Sequence, residues 1–442
     1  MSRPRLRLNL LKQSLRVLAL LLSMDICSAT VLAAELDQID TPRVFPTTES
    51  MTLPQLAREM RARNPQFLRA SQEKLQIEAR IPQALAWDQP MIGMEQTPVP
   101  HSPVNFERSQ GMSYRLTQTM SFPGKKQLAA DILQAQAYSA EAQIDQLMVQ
   151  MLAELKRQFY MTLAMQQQAE VNRNTVERLN QVKQVAKVRY ANNAAAFVDY
   201  MNAQVAQSSA ENAMFQTQRQ IDVARQNINN LLGRDPDRDL QLQLEAGGAQ
   251  SLPPLAELML QAQQQHPELR DYAFRMEAAK KNLALAKKAY YPDMQLILTK
   301  ISNNPPLGLA GNSYGVEVDL VLPTWFFERE KAGVNEANAG VISAQASAEV
   351  AWRQVQLQIA NAYSQLQQLF KEQELLQQRR LPEAQAAYRL ALNGYANNAG
   401  DFNGLLLAQQ NLRDTELAAA LIGGNLQQAW AGLEAAIGKG LE

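Results

Sequence analysis

The sequence predicts a mainly α-helical fold with a small β part, built from two copies of one unit. Three observations predict it. The five-residue string at 190–194 recurs at 395–399. Long segments without glycine or proline carry apolar residues at helical spacing. In each copy, two short segments carry alternating polar and apolar residues, a pattern typical of β-strands.

The duplication extends over the whole chain that follows the N-terminal leader. Asn64-Pro65 matches His266-Pro267, and Gly233 matches Gly438, in the same order and at offsets of roughly 200 residues. A collinear series of this kind indicates a tandem duplication. We predict a first repeat at 53–235, a linker or equatorial segment at 236–254 and a second repeat at 255–442.

The N-terminus is typical of a secretory signal peptide. Basic residues between Arg3 and Arg16 precede an apolar segment, and Ala33 ends a cleavage-site pattern. We predict a signal peptide at 1–33, an extended segment at 34–52 and a mature chain outside the cytoplasm. A lipoprotein anchor at Cys27 is not expected, because the preceding residue, Ile26, is larger than such sites normally carry.

The composition excludes several classes of function. The 442 residues include 43 Lys and Arg against 43 Asp and Glu, so no basic excess is available for binding nucleic acid. One cysteine and two histidines, His101 and His266, give no disulfide framework and no recognisable metal site. No catalytic constellation is recognisable, so we predict no enzyme, no cofactor and no resident metal.

The long helices are the main architectural signal. Residues 125–232 contain no glycine and no proline, and the predicted break lies at the turn-forming Asn192-Asn193. A helix over 125–190 would be about 100 Å long at ~1.5 Å per residue. No compact domain contains such a helix, so it must pack along other helices in an extended coiled coil or helical barrel.

The helix lengths and the position of one proline predict two further features, an end-to-end stack of helices and a kink. Helices at 197–232 and 267–289 together nearly match the length of the long helix, so we expect them to stack end to end beside it. We also expect a kink at Pro382, because a proline inside a helix removes a hydrogen bond and clashes with the preceding turn.

The strands are predicted at about 90–99, 111–122, 292–301 and 313–322. In the last of these, apolar residues alternate with Glu317 and Asp319. An apolar face opposite a charged one fits a strand with lipid on one side and water on the other. A soluble sheet half covered by a helix is the alternative. Under the membrane interpretation, Arg115, Glu317 and Asp319 face the lumen of a barrel.

Four strands are too few to close a barrel, since bacterial barrels begin at about eight strands. The strand edges must then be paired between chains. A cyclic oligomer satisfies this requirement, and a trimer would supply twelve strands continued by a ring of helices.

These features together resemble the TolC family of outer membrane efflux proteins. The motifs that carry the resemblance, besides the duplication and the two strands per copy, are Phe122-Pro123-Gly124-Lys125, the paired turn sequences and Leu381-Pro382-Glu383-Ala384. The resemblance implies a homotrimer with a twelve-stranded β-barrel in the outer-membrane lipid and a long α-helical barrel in the periplasm of a Gram-negative cell. It also implies docking to a periplasmic adaptor (membrane fusion protein) and, through it, to an inner-membrane RND pump.

Within the family, Ser121-Phe122-Pro123-Gly124-Lys125 looks most like the heavy-metal efflux branch, of the cobalt–zinc–cadmium or copper–silver type. This implies metal cations as the exported cargo. A multidrug outlet and a type I secretion outlet would have the same fold. From another class, the alternative is a soluble periplasmic coiled-coil scaffold or adaptor, although an adaptor has one long hairpin rather than two equivalent units with paired strands.

The candidate site residues lie at the two helix–turn–helix tips, about 190–197 and 395–402. The resemblance implies that these tips ring the periplasmic mouth and meet the adaptor. The tip residues are Tyr190, Asn192, Asn193 and Phe197 in the first repeat, and Tyr395, Asn397, Asn398 and Phe402 in the second. Asp199 is the candidate gate residue and Asp401 the nearest alternative. The simpler interpretation is ordinary turn chemistry beside surface carboxylates.

Overall fold

A computed structural model describes residues 50–96, 111–244, 251–303, 311–322 and 327–439. The predicted signal peptide, Cys27, His101 and part of the predicted linker lie outside the described residues. Most of the predicted segment 34–52 does so as well. No helix in these described ranges is both long and apolar enough to cross a membrane.

The described part of the first repeat begins with two short helices and continues through two strands into a long helical hairpin. Its elements are α1 (Leu53–Arg63), α2 (Pro65–Leu85), β1 (Met91–Gln96), β2 (Gly111–Met120), α3 (Lys125–Ala191) and α4 (Phe197–Leu231). The helix α3 alone has 67 residues, about 100 Å at the α-helical rise.

The second repeat has the same order of elements. They are α5 (Leu255–Gln265), α6 (Pro267–Lys288), β3 (Asp293–Asn303), β4 (Gly311–Val321), α7 (Glu328–Leu375), α8 (Leu381–Ala396) and α9 (Phe402–Ala436). A π-helical segment, Leu376–Arg380, joins α7 to α8. The fold is therefore mainly helical with one small sheet, as predicted from the sequence.

The π-helical segment lies directly before Pro382, the residue at which a kink is expected from the sequence. Pro382 lies in the first turn of α8, where its missing N–H needs no partner within that helix. The preceding π-turn adds a residue to the helical repeat and so accommodates the proline ring. The chain stays helical from α7 through to the second tip.

In each repeat, the second helix of the long hairpin (α4 or α9) ends against the start of that repeat's own α2 or α6. The expected end-to-end stacking of α4 on α6 is therefore wrong. The Asn64 side chain donates to the Leu231 carbonyl at the end of α4 (2.8 Å) and accepts from Gln66 N at the start of α2 (2.8 Å). The helix α4 therefore meets α2 of its own repeat. Helix lengths could not decide this, because α2 and α6 are nearly equal.

The matched glycines of the two repeats form these junctions. Gly233 has φ +70°, and a Cβ there would lie 2.9 Å from the Arg63 carbonyl oxygen. Gly438 has φ +76°, and its Cβ would lie 2.8 Å from the Cα of His266. Only glycine combines a left-handed backbone with so close an approach. In each repeat, the glycine therefore packs directly against the Asn-Pro or His-Pro break, and the two motifs together form the junction.

The helix α3 is the common neighbour of both stacks. It contacts α6 through Lys281 and Asp131 (3.3 Å). Further along its length it contacts α4 through the buried pair Asn172 and Thr217 (2.9 Å). It also packs closely on α9, where a Cβ at Gly424 would lie 2.6 Å from that of Ala164.

The core is divided into three clusters along the helices. One lies where α1, α3 and the end of α4 meet, one lies between α5, α7 and α9, and one lies at the tips. Their fully buried members include Leu56, Met60, Phe159 and Ile228; Ile359, Leu366 and Leu433; and Tyr395, Val182 and Leu405. A core distributed in this way is expected of a long bundle, in which each level of helices must bury its own apolar stripe.

We expect His266 to make the junction between α9 and α6 sensitive to pH. Its Nδ1 accepts from Glu268 N (3.2 Å), and burial lowers the pKa of the imidazole from 6.5 to about 4. The neutral ring is favoured in the folded protein, so the unfolded chain binds more protons below pH 6.5. We expect stability to fall as the pH drops from 6.5 towards 4, by about 2 kcal/mol per chain at pH 5.

The first repeat supplies the matched variant, because asparagine occupies the equivalent position 64. We expect His266→Asn to remove most of the difference in melting temperature between pH 7.5 and pH 5 in detergent. Asn64→His should increase that difference. An unchanged pH dependence in His266→Asn would show that other groups produce it.

Candidate functional sites: the sheet and the tip hairpins

The four strands form one antiparallel sheet in the order β1-β2-β3-β4. The register places apolar residues of all four strands on one face, because directly paired residues share a face. This apolar face consists of Ile92, Met94, Tyr114, Leu116, Leu298, Tyr314, Val316, Val318 and Leu320, together with Met112, Met120, Met294, Leu296, Gln118 and Lys300. Its side chains are open to the surroundings: Ile92 is 79% exposed and Tyr314 is 75% exposed.

The opposite face is polar. Arg115, Glu317 and Asp319, the residues predicted to face a lumen, share this face. Arg115 forms an exposed ion pair with Glu95 (3.0 Å). Among the described residues, Glu317 and Asp319 have no basic partner, so the polar face carries an excess of negative charge.

The sheet has two outer edges, one on β1 and one on β4. Within the described ranges, neither edge is paired with another strand. The edge of β4 is 11 residues long, and such an edge leaves a row of backbone donors and acceptors to be satisfied.

The junction between sheet and helices explains the Phe122-Pro123-Gly124-Lys125 motif. Gly124 has φ +86° and forms the left-handed turn that starts α3. Asp293 accepts from the backbone N–H of Phe122 (2.7 Å) and from Lys125 Nζ (2.9 Å). The Phe122 ring stacks on Tyr291, with centroids 4.5 Å apart. The motif therefore forms the turn that joins β2 to α3 and ties it to β3.

The two tip turns have the same backbone conformation. Asn193 (φ 54°) and Asn398 (φ 61°) occupy the left-handed region, which asparagine tolerates better than most residues. Asn192 and Asn397 are the residues at which α3 and α8 end. The repeated asparagines are thus explained by turn geometry.

The aromatic residues beside the turns are not equivalent, although their sequence positions match. Tyr190 and Phe197 of the first tip are 47% and 52% exposed, with ring centroids 5.3 Å apart. Tyr395 and Phe402 of the second tip are 1% and 4% exposed and belong to the tip core. The first tip therefore presents an apolar surface, whereas the second tip packs against the first hairpin.

A polar network ties the two hairpins together. Arg189 of α3 lies 4.1 Å from the ring centroid of Tyr395, donates to the Tyr395 carbonyl and donates to Asn398 Oδ1 (2.7 Å). The Tyr395 hydroxyl donates to Asp199 Oδ2 (3.1 Å). Burial, and then the Asp199 charge, raise the pKa of Tyr395 to about 12, so the phenol remains a donor at physiological pH.

Asp401 has a different place in the structure. Its carboxylate caps the first turn of α9 by accepting from the Gly404 backbone N–H. This is the usual role of an aspartate at such a position. Of the two acidic gate candidates, Asp199 is the one that bridges the hairpins.

Arg189 is not among the site residues predicted from the sequence. The available signal was a difference between the repeats, because the residue that matches Arg189 in the second copy is Gly394. The contacts of Arg189 with Tyr395 and Asn398 join residues about 200 positions apart, so only the folded chain reveals them. Within the described ranges, no three His, Cys, Asp or Glu residues are grouped to hold a metal ion.

Residues 258–439 match the family model of the outer membrane efflux proteins. A search of curated proteins found none that matches the chain. Among solved structures, the chain is similar to the outer-membrane channel OprN, with TM-score 0.76 and 18% identity over 91% of this chain and 96% of that one. It is also similar to the outer membrane protein VceC from Vibrio cholerae, with TM-score 0.74 and 18% identity over 88% of this chain and 97% of that one. The similarity to CusC has TM-score 0.76 and 16% identity over 88% of this chain and 92% of that one. The chain therefore has the TolC-like fold of these channels.

Proposed function

We propose that this protein is the outer-membrane channel of a tripartite efflux system and a member of the outer membrane efflux family. The observation that carries the proposal is the exposed apolar face of the sheet, which no described residue covers. A soluble protein rarely exposes so continuous an apolar surface. Lipid outside and water inside account for the apolar and polar faces together.

The height of the apolar face supports a membrane location. Tyr114 and Tyr314 lie near the hairpin ends, and Phe122 and Tyr291 lie at the helical end. Eight residue positions, from Tyr114 of β2 to Phe122 just beyond that strand, separate the two levels. This corresponds to about 26 Å along the strand and to roughly 20 Å of height at a strand tilt of ~40°. Membrane barrels have an apolar band about 25 Å tall with aromatic residues at both borders.

The free edges support a ring of copies. The edge of β4 in one copy would pair with the edge of β1 in the next, so that every backbone group is satisfied in the membrane. Three copies make twelve strands, above the lower limit for a closed barrel. The homotrimer and the continuous helical barrel implied by the resemblance are compatible with this closure.

The tip hairpins are the proposed periplasmic mouth. The exposed Tyr190 and Phe197 of the first tip supply an apolar surface suited to a periplasmic adaptor, through which an inner-membrane RND pump would be coupled. The network of Arg189, Tyr395 and Asp199 supports the second part of this proposal, a gate. It joins hairpins that must separate if the mouth is to widen.

The gate predicts a measurable change in conductance. Asp199→Ala and Tyr395→Phe both remove the hydrogen bond between the hairpins, so we expect each to raise single-channel conductance in planar bilayers by several-fold. Asp199→Ala should also reduce cation selectivity, because it removes a carboxylate from the mouth. Asp401→Asn is the control, since asparagine also caps helices and the residue does not bridge the hairpins. Wild-type conductance in both test variants would remove this network from the gate.

The proposed cargo is heavy-metal cations. The unpaired Glu317 and Asp319 on the polar face support a cation-conducting lumen, and three copies would multiply their charge. The resemblance of residues 121–125 to the heavy-metal branch agrees with this, although the structure gives these residues a role in the turn. A duct need not bind its cargo tightly, since tight binding would slow release.

Resistance measurements test both levels of the proposal. Deleting the gene should lower the zinc, cadmium, cobalt, copper or silver concentration that stops growth, and the gene in trans should restore it. Sensitivity to drugs alone, or a defect in polypeptide secretion alone, would assign the cargo to the alternative outlets. Recovery of the protein in the soluble periplasm would instead favour a coiled-coil scaffold and overturn the channel.

A further inference from the structure

The apolar face of the sheet carries one charged residue within the described ranges, Lys300. The register sets it directly between Tyr114 of β2 and Tyr314 of β4. Residues paired in this way have Cβ atoms about 5 Å apart. The three side chains, with Leu298 and Val316, line one shallow depression of that face.

Lys300 has no carboxylate partner among the described residues, and its side chain is exposed. The acidic residues of the sheet lie on the opposite face, so the backbone of the sheet lies between them and Lys300. An ammonium group in an apolar surrounding needs a counter-charge or water, and no described residue supplies the counter-charge.

The level of Lys300 along the strands identifies where a counter-charge would lie. The residue is three positions from the end of β3, and the next position on the same face is Ser302. The apolar face therefore gives way to polar residues just beyond Lys300. Under the proposed function, on which this inference rests, this end points away from the helices and lies at the outer surface of the membrane.

We propose that Lys300, with the hydroxyl groups of Tyr114 and Tyr314, binds a phosphate group of the phosphorylated glycolipid in the outer leaflet. The lysine supplies the positive charge and the two phenols supply hydrogen-bond donors. Tyrosine at this level keeps its ring in the apolar region and its hydroxyl among the headgroups. A lysine near the interface also costs little, in contrast to one at mid-membrane.

Binding of defined lipids to the purified protein tests the proposal by native mass spectrometry. The probes are bis-phosphorylated lipid A, the same lipid without phosphates, and phosphatidylglycerol. We expect Lys300→Gln to weaken binding of phosphorylated lipid A about fivefold, and Lys300→Glu to weaken it further. Lys371→Gln, which removes an exposed lysine of α7, should bind as the wild type does.

Three results would overturn the proposal. These are unchanged lipid A binding in Lys300→Gln, an equal loss for the dephosphorylated lipid, and an equal loss for phosphatidylglycerol. The last would indicate a general anion preference instead of the outer-leaflet glycolipid. Membrane fractionation of the same variants separates the two levels of inference. A protein found in the outer membrane without lysine-dependent lipid binding would contradict this site alone, whereas a soluble protein would contradict the proposed function.

Discussion

Under the proposed function, Val318→Lys is expected to prevent stable insertion into the outer membrane. Val318 lies on the apolar face of β4, halfway between the level of Tyr314 and the helical end of the sheet, and is exposed. A lysine at the middle of the lipid-facing band costs about 2–4 kcal/mol, and a trimer would contain three. The measurement is the amount of heat-labile oligomer recovered in outer-membrane extracts, which we expect to fall more than tenfold.

The neighbouring residue provides the control for this experiment. Glu317→Lys introduces the same side chain one position away, on the polar face of the same strand. We expect normal insertion, with reduced cation selectivity because a negative charge of the lumen is replaced by a positive one. If both variants insert equally well, the assignment of one face to lipid and the other to water is wrong.

Arg234→Met is expected to destabilise the junction between α1 and the end of α4. Arg234 Nε donates to Glu59 Oε1 (2.6 Å), and both side chains are almost completely buried. Arg63 also lies near this carboxylate, at 3.4 Å. Removing one partner of a buried ion pair typically costs about 3–5 kcal/mol. Because Arg63 still pairs with Glu59 in this variant, we expect a loss at the lower end of that range. We expect a lower melting temperature and faster proteolysis at 233–244.

A double variant distinguishes the ion pair from simple loss of packing. Glu59→Gln combined with Arg234→Met removes the buried carboxylate charge, so part of the lost stability should return, less the Arg63 contact with Glu59. Arg225→Met, near the same end of α4, alters a partly exposed contact with Asp222 (4.0 Å) and should cost under about 1 kcal/mol. Equal destabilisation by Arg234→Met and Arg225→Met would show that the buried pair has no special role.

Several parts of the candidate site followed from local pattern. The alternation around Glu317 and Asp319 placed these residues on one face, since the side-chain period of a strand is two whatever its neighbours are. Asn193 and Asn398 were recognised as turn residues because few others accept a left-handed backbone. The absence of glycine and proline over 125–190 predicted one long helix, which the structure has as Lys125–Ala191.

Other parts depended on contacts between distant residues. The burial of Tyr395 and the exposure of its repeat partner Tyr190 have no basis in their nearly identical local sequences. Arg189 and Asp199 of the first hairpin contact Tyr395. No described residue of the second hairpin buries Tyr190 in the same way. The location of Lys300 between two tyrosines likewise depends on the register of three strands.

The sequence was sufficient to predict the long helices, the two-faced strands and the TolC-like fold. These depend on periodicity and on backbone preferences, which act over a few residues. The tertiary structure decided which helices stack, since α4 meets α2 at Asn64 and does not meet α6. It also decided which of the two similar tips is buried. Near-equal lengths and near-identical motifs allow more than one pairing, and the choice between them is made by packing and hydrogen bonds between residues far apart in the chain.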